Sequence, residues 1–331
     1  MPRFALAPEL RRFAVLSAIG LAVVASAPLW AGSASLRLLG EFFVILSLAV
    51  LWNLLAGYAG LLSVGQQAFV GVGGYALFLA TGWGLSPYAA ILVAILAATL
   101  LAAIFAPLLF RLEGAYFAIG TWVAAETVLL VFSQIPSLGG GAGMSLPAQV
   151  VKGIASQKAT REFAIYWLTS GIGAATLFGT FALLRSRAGL ALTAIRDNPL
   201  AAASLGIDIW RTKFLTYVIV AAATGAIGAV ISLQKLRLSP SSAFSLNDWT
   251  VTIIFIVVIG GLGRLEGAVL GTLIYFLLRE LLSGFGAGYM IVLGLVAIIV
   301  MLFSRKGLWH LLETRFGWVL FPTIRNPPTE P

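Results

Sequence analysis

The chain alternates long apolar runs with short polar joints from near its start to about residue 303, and this alternation constrains every fold open to it. The runs have the length of about 17–25 residues that a helix needs to cross the hydrocarbon core of a bilayer. That core holds no water to satisfy loose backbone N–H and C=O groups, and a helix satisfies its own within a single run. A chain of 331 residues that is 60% hydrophobic and 10% charged has too much apolar surface to bury in a soluble domain. The fold class read from the sequence is therefore all-α and polytopic, with about ten transmembrane helices. Their expected positions are 13–30, 38–56, 67–82, 87–110, 115–134, 163–184, 213–233, 249–262, 267–283 and 287–303.

Charge sets the expected orientation. With Met1 inside, seven of the 21 Lys and Arg residues fall on the outer side: Arg37, Lys152, Lys158, Arg161, Lys235, Arg237 and Arg279. The remaining fourteen fall inside, so the excess of cytoplasmic Lys and Arg puts both termini in the cytoplasm. The net charge of +9 lies mostly in the joints, which assigns it to membrane orientation and not to nucleic acid. There is no Cys and one His, His310, so disulfides, thiol chemistry and a His-based metal centre are excluded. No cofactor is expected. The first span ends at Ala25-Ser26-Ala27, a signal-peptidase-like pattern, and is read as a retained anchor.

The longest polar joint between apolar runs on the inner side is Arg185 to Lys213. It carries its own fold signals. Asn198 before Pro199 reads as an N-cap followed by Pro at the first helical position. Leu200 to Leu205 form a short alanine-rich helix, Gly206 closes it in a left-handed cap, and Asp208 caps the next helix. The result is a small rigid knob on the cytoplasmic side that a soluble partner could grip.

Glycine is dense from Gly57 to Tyr75, through Gly60, Gly65, Gly71, Gly73 and Gly74. Such density permits close helix packing, or a backbone break that survives only if buried in protein or lining a wet cavity. Asn53, Ser63, Gln66 and Gln67 offer polar groups there as candidates for a translocation path. No Gly-Lys-Ser/Thr follows, so the stretch is not a phosphate loop. Glu126 falls near the middle of a span; an intramembrane carboxylate is either functional or a neutral structural group. The expected outer loop at 135–162 holds a flexible run, Gly139 to Gly143, and is a candidate docking surface for an external protein. After Phe303, an amphipathic stretch with Trp309, Leu312, Phe316 and Trp318 is expected at the inner membrane surface, followed by a disordered end from Asn326. Residues 1–303 thus form a transmembrane domain and 304–331 a cytoplasmic tail.

Four segments, in order, resemble permease subunits of branched-chain amino acid ABC transporters, the Liv-type inner-membrane permease family. They are Gly57-Tyr58-Ala59-Gly60 through Ala68-Phe69 and Gly74-Tyr75; Leu112-Glu113-Gly114-Ala115-Tyr116-Phe117; Ala194-Ile195-Arg196-Asp197-Asn198 with Ala201 to Ile207; and Ser239-Pro240 through Gly260-Gly261-Leu262-Gly263 to Glu266-Gly267. Leu138 stands where the family has Thr, and Ala268 where a Pro often follows the last glycine. The resemblance implies a permease subunit of an ABC importer for Leu, Ile or Val in the cell inner membrane. It further implies a second permease subunit, two cytoplasmic ATPase subunits and a periplasmic solute-binding protein. The loop 185–213 would be the coupling loop, with Arg196, Asp197, Asn198, Ala201, Ala202, Ala203 and Gly206 at the ATPase contact. Hydrolysis of ATP is expected in the partners, since this chain has no P-loop. The halves 38–134 and 213–303 read as a divergent internal repeat. Other substrates (another amino acid, urea, a short amide) and an ion-coupled secondary transporter stay open. An intramembrane enzyme lacks a catalytic cluster in this sequence.

Overall fold

A computed structural model describes residues 8–322, apart from 156, 283, 285–287, 305, 318 and 319. The expectations for Arg3, Trp318 and the stretch from Asn326 lie outside the described residues.

The chain is helical. Helix α1 is Pro8–Trp30 and α2 Ser33–Asn53, which runs on into a wider π-turn, Leu54–Tyr58. A break follows, then α3 (Gln66–Gly82), α4 (Pro87–Leu109) and α5 (Ala115–Gln134). Next come the short α6 (Ala148–Ile154), α7 (Lys158–Leu184), α8 (Arg187–Asp197), α9 (Pro199–Ser204) and α10 (Ile209–Lys235). The last third holds α11 (Pro240–Ala243), a π-turn Leu246–Val251, α12 (Thr252–Gly260), α13 (Leu265–Leu281), α14 (Tyr289–Phe303) and α15 (Leu308–Phe316). Seven helices among the described residues are long and apolar enough to cross a membrane: Leu10–Trp30, Ser33–Tyr58, Pro87–Leu109, Ala115–Gln134, Lys158–Leu184, Ile209–Lys235 and Pro240–Gly260. The segments expected at 67–82, 267–283 and 287–303 correspond to the shorter helices α3, α13 and α14. Helices α3 and α13 have 17 residues and α14 has 15. At 1.5 Å per residue, 17 residues span only about 26 Å.

Alanine spacing explains the tightest packing. On α4, Ala90, Ala94, Ala98, Ala102 and Ala106 recur every fourth residue and are fully buried. Leu92, Leu96, Leu100, Ile104 and Leu108 face outward, each more than half exposed, as a lipid-facing stripe would be. The alanine stripe meets α10, where Gly225 lies directly on Ala98. Small residues let the two backbones approach, the usual basis of helix pairing in lipid.

The two ends of the bundle differ. The α7–α10 joint and both glycine-rich breaks gather at one end, as described below. At the other, two-residue strands β1 (Met144–Ser145) and β2 (Arg237–Leu238) pair antiparallel, with Met144 opposite Leu238. The segment expected at 135–162 as an outer loop with a flexible glycine run holds, among its described residues, short 3-10 turns, β1 and α6, and α7 begins within it at Lys158. Since α10 begins at the joint and is 27 residues long, these ends are about 40 Å apart.

Candidate functional site

The polar joint is more ordered than its charges suggest. Ser186 caps α8 by accepting from the Ala188 N–H at 3.2 Å. Gly189, Leu192 and Ile195 form the buried stripe of α8, and its charged residues face out. Burying Leu192 and Ile195 contributes about 1.5–3 kcal/mol each. The charges of α8 mark the stretch as a polar joint, while the three-residue spacing of its apolar positions is the helical signal. Asn198 ends α8, because a residue before Pro disfavours helical backbone. Its Oδ1 then accepts from the Ala201 N–H at 3.0 Å, capping α9. Gly206 has φ +81°, where a side chain would be strained. Its N–H donates to Ala203 O and that of Ile207 to Ala202 O, a complete Schellman closure. Asp208 caps α10 through the Arg211 N–H at 2.9 Å.

The knob shows two chemical faces. Leu200 is 84% exposed and Leu205 78%, so two large apolar side chains stand free at its tip. Ala202 is buried and seats the knob on the protein, whereas Ala201 and Ala203 are open. Arg196 points the other way. It holds Asp197 through Nε and Nη2, both at 2.8 Å, and its Nη1 donates to the Gly57 carbonyl at 2.7 Å. The joint is thereby fastened to the first glycine-rich break.

That break is residues 59–65, between the π-turn and α3. Backbone groups lost to the helix find other partners. Trp52 Nε1 donates to Ser63 O at 2.7 Å, and Thr121 Oγ1 of α5 accepts from Val64 N at 2.9 Å. The Ser63 hydroxyl accepts from Gly65 N. Asn53 carries the connection further. Its Nδ2 donates to Arg264 O and its Oδ1 accepts from Gly263 N, both at 2.8 Å. Gly263 and Arg264 belong to the second glycine-rich break, between α12 and α13. One buried carboxamide therefore ties the two breaks together. Gly57 permits this: a Cβ there would sit 2.5 Å from Gly263 N.

The C-terminal segment reaches the same place. Gly307 packs on Gly261. Glu313 of α15 pairs with Arg264 at 3.0 Å. The Phe321 N–H donates to Glu266 Oε1 at 2.8 Å, and Arg185 Nη1 to Pro322 O at 3.3 Å. His310 lies 3.7 Å from Glu313 on the same helix.

Gln66 and Gln67 are fully buried at the start of α3. Gln66 Nε2 donates to Thr224 of α10 at 2.7 Å, and Gln67 bonds Thr250 through both its backbone N–H and its side-chain Oε1. Gln66 Oε1 and Gln67 Nε2 remain without a hydrogen-bond partner. Asn53, Ser63, Gln66 and Gln67 thus lie together along the first break and its neighbours. Glu126 does not join them. It is partly exposed on α5, beside the buried stripe Thr121, Ala125 and Val128, and accepts from Trp122 Nε1 at 3.2 Å. The residues missed by sequence reasoning are Thr121, Thr224, Thr250, Arg264 and Glu313. A hydroxyl in an apolar helix carries no sign of which helix it will meet.

Comparisons with known proteins agree with this architecture. Residues 34–303 match the family described as branched-chain amino acid transport system, permease component. The chain is 27% identical over 300 residues to the high-affinity branched-chain amino acid transport system permease protein LivM of Salmonella typhimurium, covering 84% of this chain and 70% of that one. The Escherichia coli LivM gives the same identity and coverage. A probable LivM of Methanocaldococcus jannaschii is 27% identical over 223 residues, 66% of this chain and 64% of that one. A probable LivH of that organism is 27% identical over 133 residues, 38% of this chain and 41% of that one. No solved structure matches.

Proposed function

This chain belongs to the branched-chain amino acid transport permease family, and we propose that it is the membrane-spanning permease subunit of an ABC importer for Leu, Ile or Val. The LivM relatives carry that substrate class in their names. The observation that carries the mechanical part is the bond from Arg196 to the Gly57 carbonyl, with the Asn53 clamp behind it. It connects a cytoplasmic knob to both glycine-rich breaks.

In this reading 185–213 is the coupling loop. An ATPase subunit seats on α9, where Leu200, Leu205, Ala201 and Ala203 are open; exposed apolar side chains of this size mark interaction sites. Asp197 and Asn198 keep Arg196 and α9 in position, and Gly206 and Ala202 fix the knob on the bundle. A displacement of the knob then acts on Gly57 through Arg196, on Gly263 and Arg264 through Asn53, and on α10 through its cap at Asp208. The path runs beside the broken backbone held by Asn53, Ser63, Gln66 and Gln67. Glu126 is the outlying member of that set.

The finer topology is ten membrane helices, with α3, α13 and α14 as the short members, and both termini in the cytoplasm of a cell with an inner membrane. Two features support an internal repeat: each half has a π-turn and a glycine-rich break, and the breaks face each other. A second permease subunit, two ATPase subunits and a periplasmic solute-binding protein complete the importer. Residues 304–331 are the cytoplasmic tail, and its helix α15 packs on the cytoplasmic end through Glu313.

The test is purification of the tagged chain from a membrane that expresses its neighbours, followed by uptake in proteoliposomes. ATPase subunits should co-purify, and uptake of leucine should require ATP and the binding protein. Uptake that proceeds without ATP and collapses with the proton gradient would replace this reading by a secondary carrier.

A further inference from the structure

Helix α1 stands off from the rest of the protein. Only 6% of its apolar span is buried. It touches the bundle near its two ends. At one, Phe13 joins an aromatic cluster with Phe178, Phe181 and Phe321. At the other, Ala27 is buried and Tyr166 Oη donates to Val24 O at 2.7 Å. Between them a cavity of about 320 Å³ separates α1 from α2 and α7. Its walls include Gly20 and Leu21 of α1, Phe42 and Phe43 of α2, and Gly173 and Leu177 of α7.

The walls offer little to water, which needs two to four polar partners. The polar side chains among them are Ser17 and Ser170, and the Ser170 hydroxyl is already bonded to Trp167 O. There is room for roughly ten water-sized groups, most of one acyl chain. The second observation is at the lip. Leu16 lines this cavity and also a recess bordered by Arg11, Arg12 and Val15. Both arginines are exposed. With the amino terminus in the cytoplasm, as in the reading above, they stand at the level of inner-leaflet headgroups, where basic residues between helices attract anionic lipid. Carbon walls below and two guanidinium groups above match one amphiphile, not a soluble solute.

We propose that the fissure behind α1 is a binding site for one anionic phospholipid, its phosphate at Arg11 and Arg12 and one acyl chain lying between α1, α2 and α7.

Native mass spectrometry of the purified complex, titrated with phosphatidylglycerol or with phosphatidylcholine of the same chains, tests this. The wild type should retain one phosphatidylglycerol with at least tenfold preference. R11Q/R12Q should lose the preference and still accept either lipid weakly. G20F should lose both, because a Cβ at Gly20 meets nothing within 4 Å and the added ring enters the cavity. R161Q, at the opposite end of α7, should change nothing. Glycerophosphoglycerol, the headgroup without chains, should not compete. Equal retention of the two lipids by the wild type would overturn the proposal. So would unchanged retention in G20F, competition by the free headgroup, or a wild-type complex holding no lipid because another subunit covers the fissure. None of these readouts depends on transport, so the importer reading and the lipid site fail separately.

Discussion

Arg196 and Gly57 are 139 residues apart in sequence, and the guanidinium of one donates to the carbonyl of the other at 2.7 Å. A hydrogen bond from a charged donor contributes about 1.5–3 kcal/mol. The same guanidinium grips Asp197 with its other edge. Lysine has no planar fork with which to do both. R196K and R196A should therefore leave ATPase subunits bound in co-purification while lowering ATP-driven uptake by about tenfold, the equivalent of about 1.4 kcal/mol. Uptake at the wild-type level in both variants would remove Arg196 from the link.

Asn53 is the more structural member. N53A would leave the Gly263 N–H and the Arg264 carbonyl without their partner, and an unsatisfied buried group costs about 1–3 kcal/mol. The expected loss is about 2 kcal/mol or more of stability, read as a lower midpoint of thermal unfolding in detergent. N53L, which is apolar and of similar size, should be no better. A variant melting with the wild type would show that the two breaks do not need the clamp.

Position in the knob separates docking from folding. Leu200 and Leu205 are exposed, so L200D and L205D should change stability by less than about 0.5 kcal/mol yet abolish co-purification of the ATPase. Ala202 is buried, so A202E should unseat the knob itself, seen as faster hydrogen exchange through 198–208. Retained ATPase binding in L200D/L205D would move the contact elsewhere.

Glu313 and Arg264 are both partly exposed, and such a pair contributes little in salt, about 0–1 kcal/mol. E313Q should loosen α15, measured as increased exchange of its amides, and more so at low ionic strength, where the wild-type pair is strongest. The charge swap R264E/E313R should restore protection. No change in exchange for E313Q would leave Gly307 and Phe321 as the attachments that hold the tail.

Glu126 lies beside Trp122 on a partly exposed face. E126Q is expected to leave uptake unchanged at every pH tested. A pH-dependent loss of uptake would bring the carboxylate back into the path.

What the sequence disclosed follows range. The caps at Asn198 and Asp208 and the closure at Gly206 rest on contacts within five residues, and their residue types announce them. Helix α3 begins at Gln66 and ends at Gly82, close to the expected 67–82, because apolar length alone delimits it. Helix α8 was hidden because its buried stripe of Gly189, Leu192 and Ile195 spans only two turns and is flanked by Arg187 and Arg196, which mark the stretch as a polar joint. The clamp from Asn53 to Gly263 and the pair of Arg264 with Glu313 join distant residues with no shared local pattern. Glu126 drew attention by its position in a span, but a one-residue turn of the helix decides whether such a group faces protein or not.

The alanine stripe of α4 has a mechanical corollary. Methyl groups possess no side-chain torsions to reset, so a neighbour seated on them can shift along its axis with few rotamers to rearrange. Helix α10 rides on that smooth track and starts at Ile209, just past its cap Asp208 at the end of the knob. In the proposed coupling, a push at its foot would move along α10 past the Gln66–Thr224 bond toward the far end, where β2 follows it.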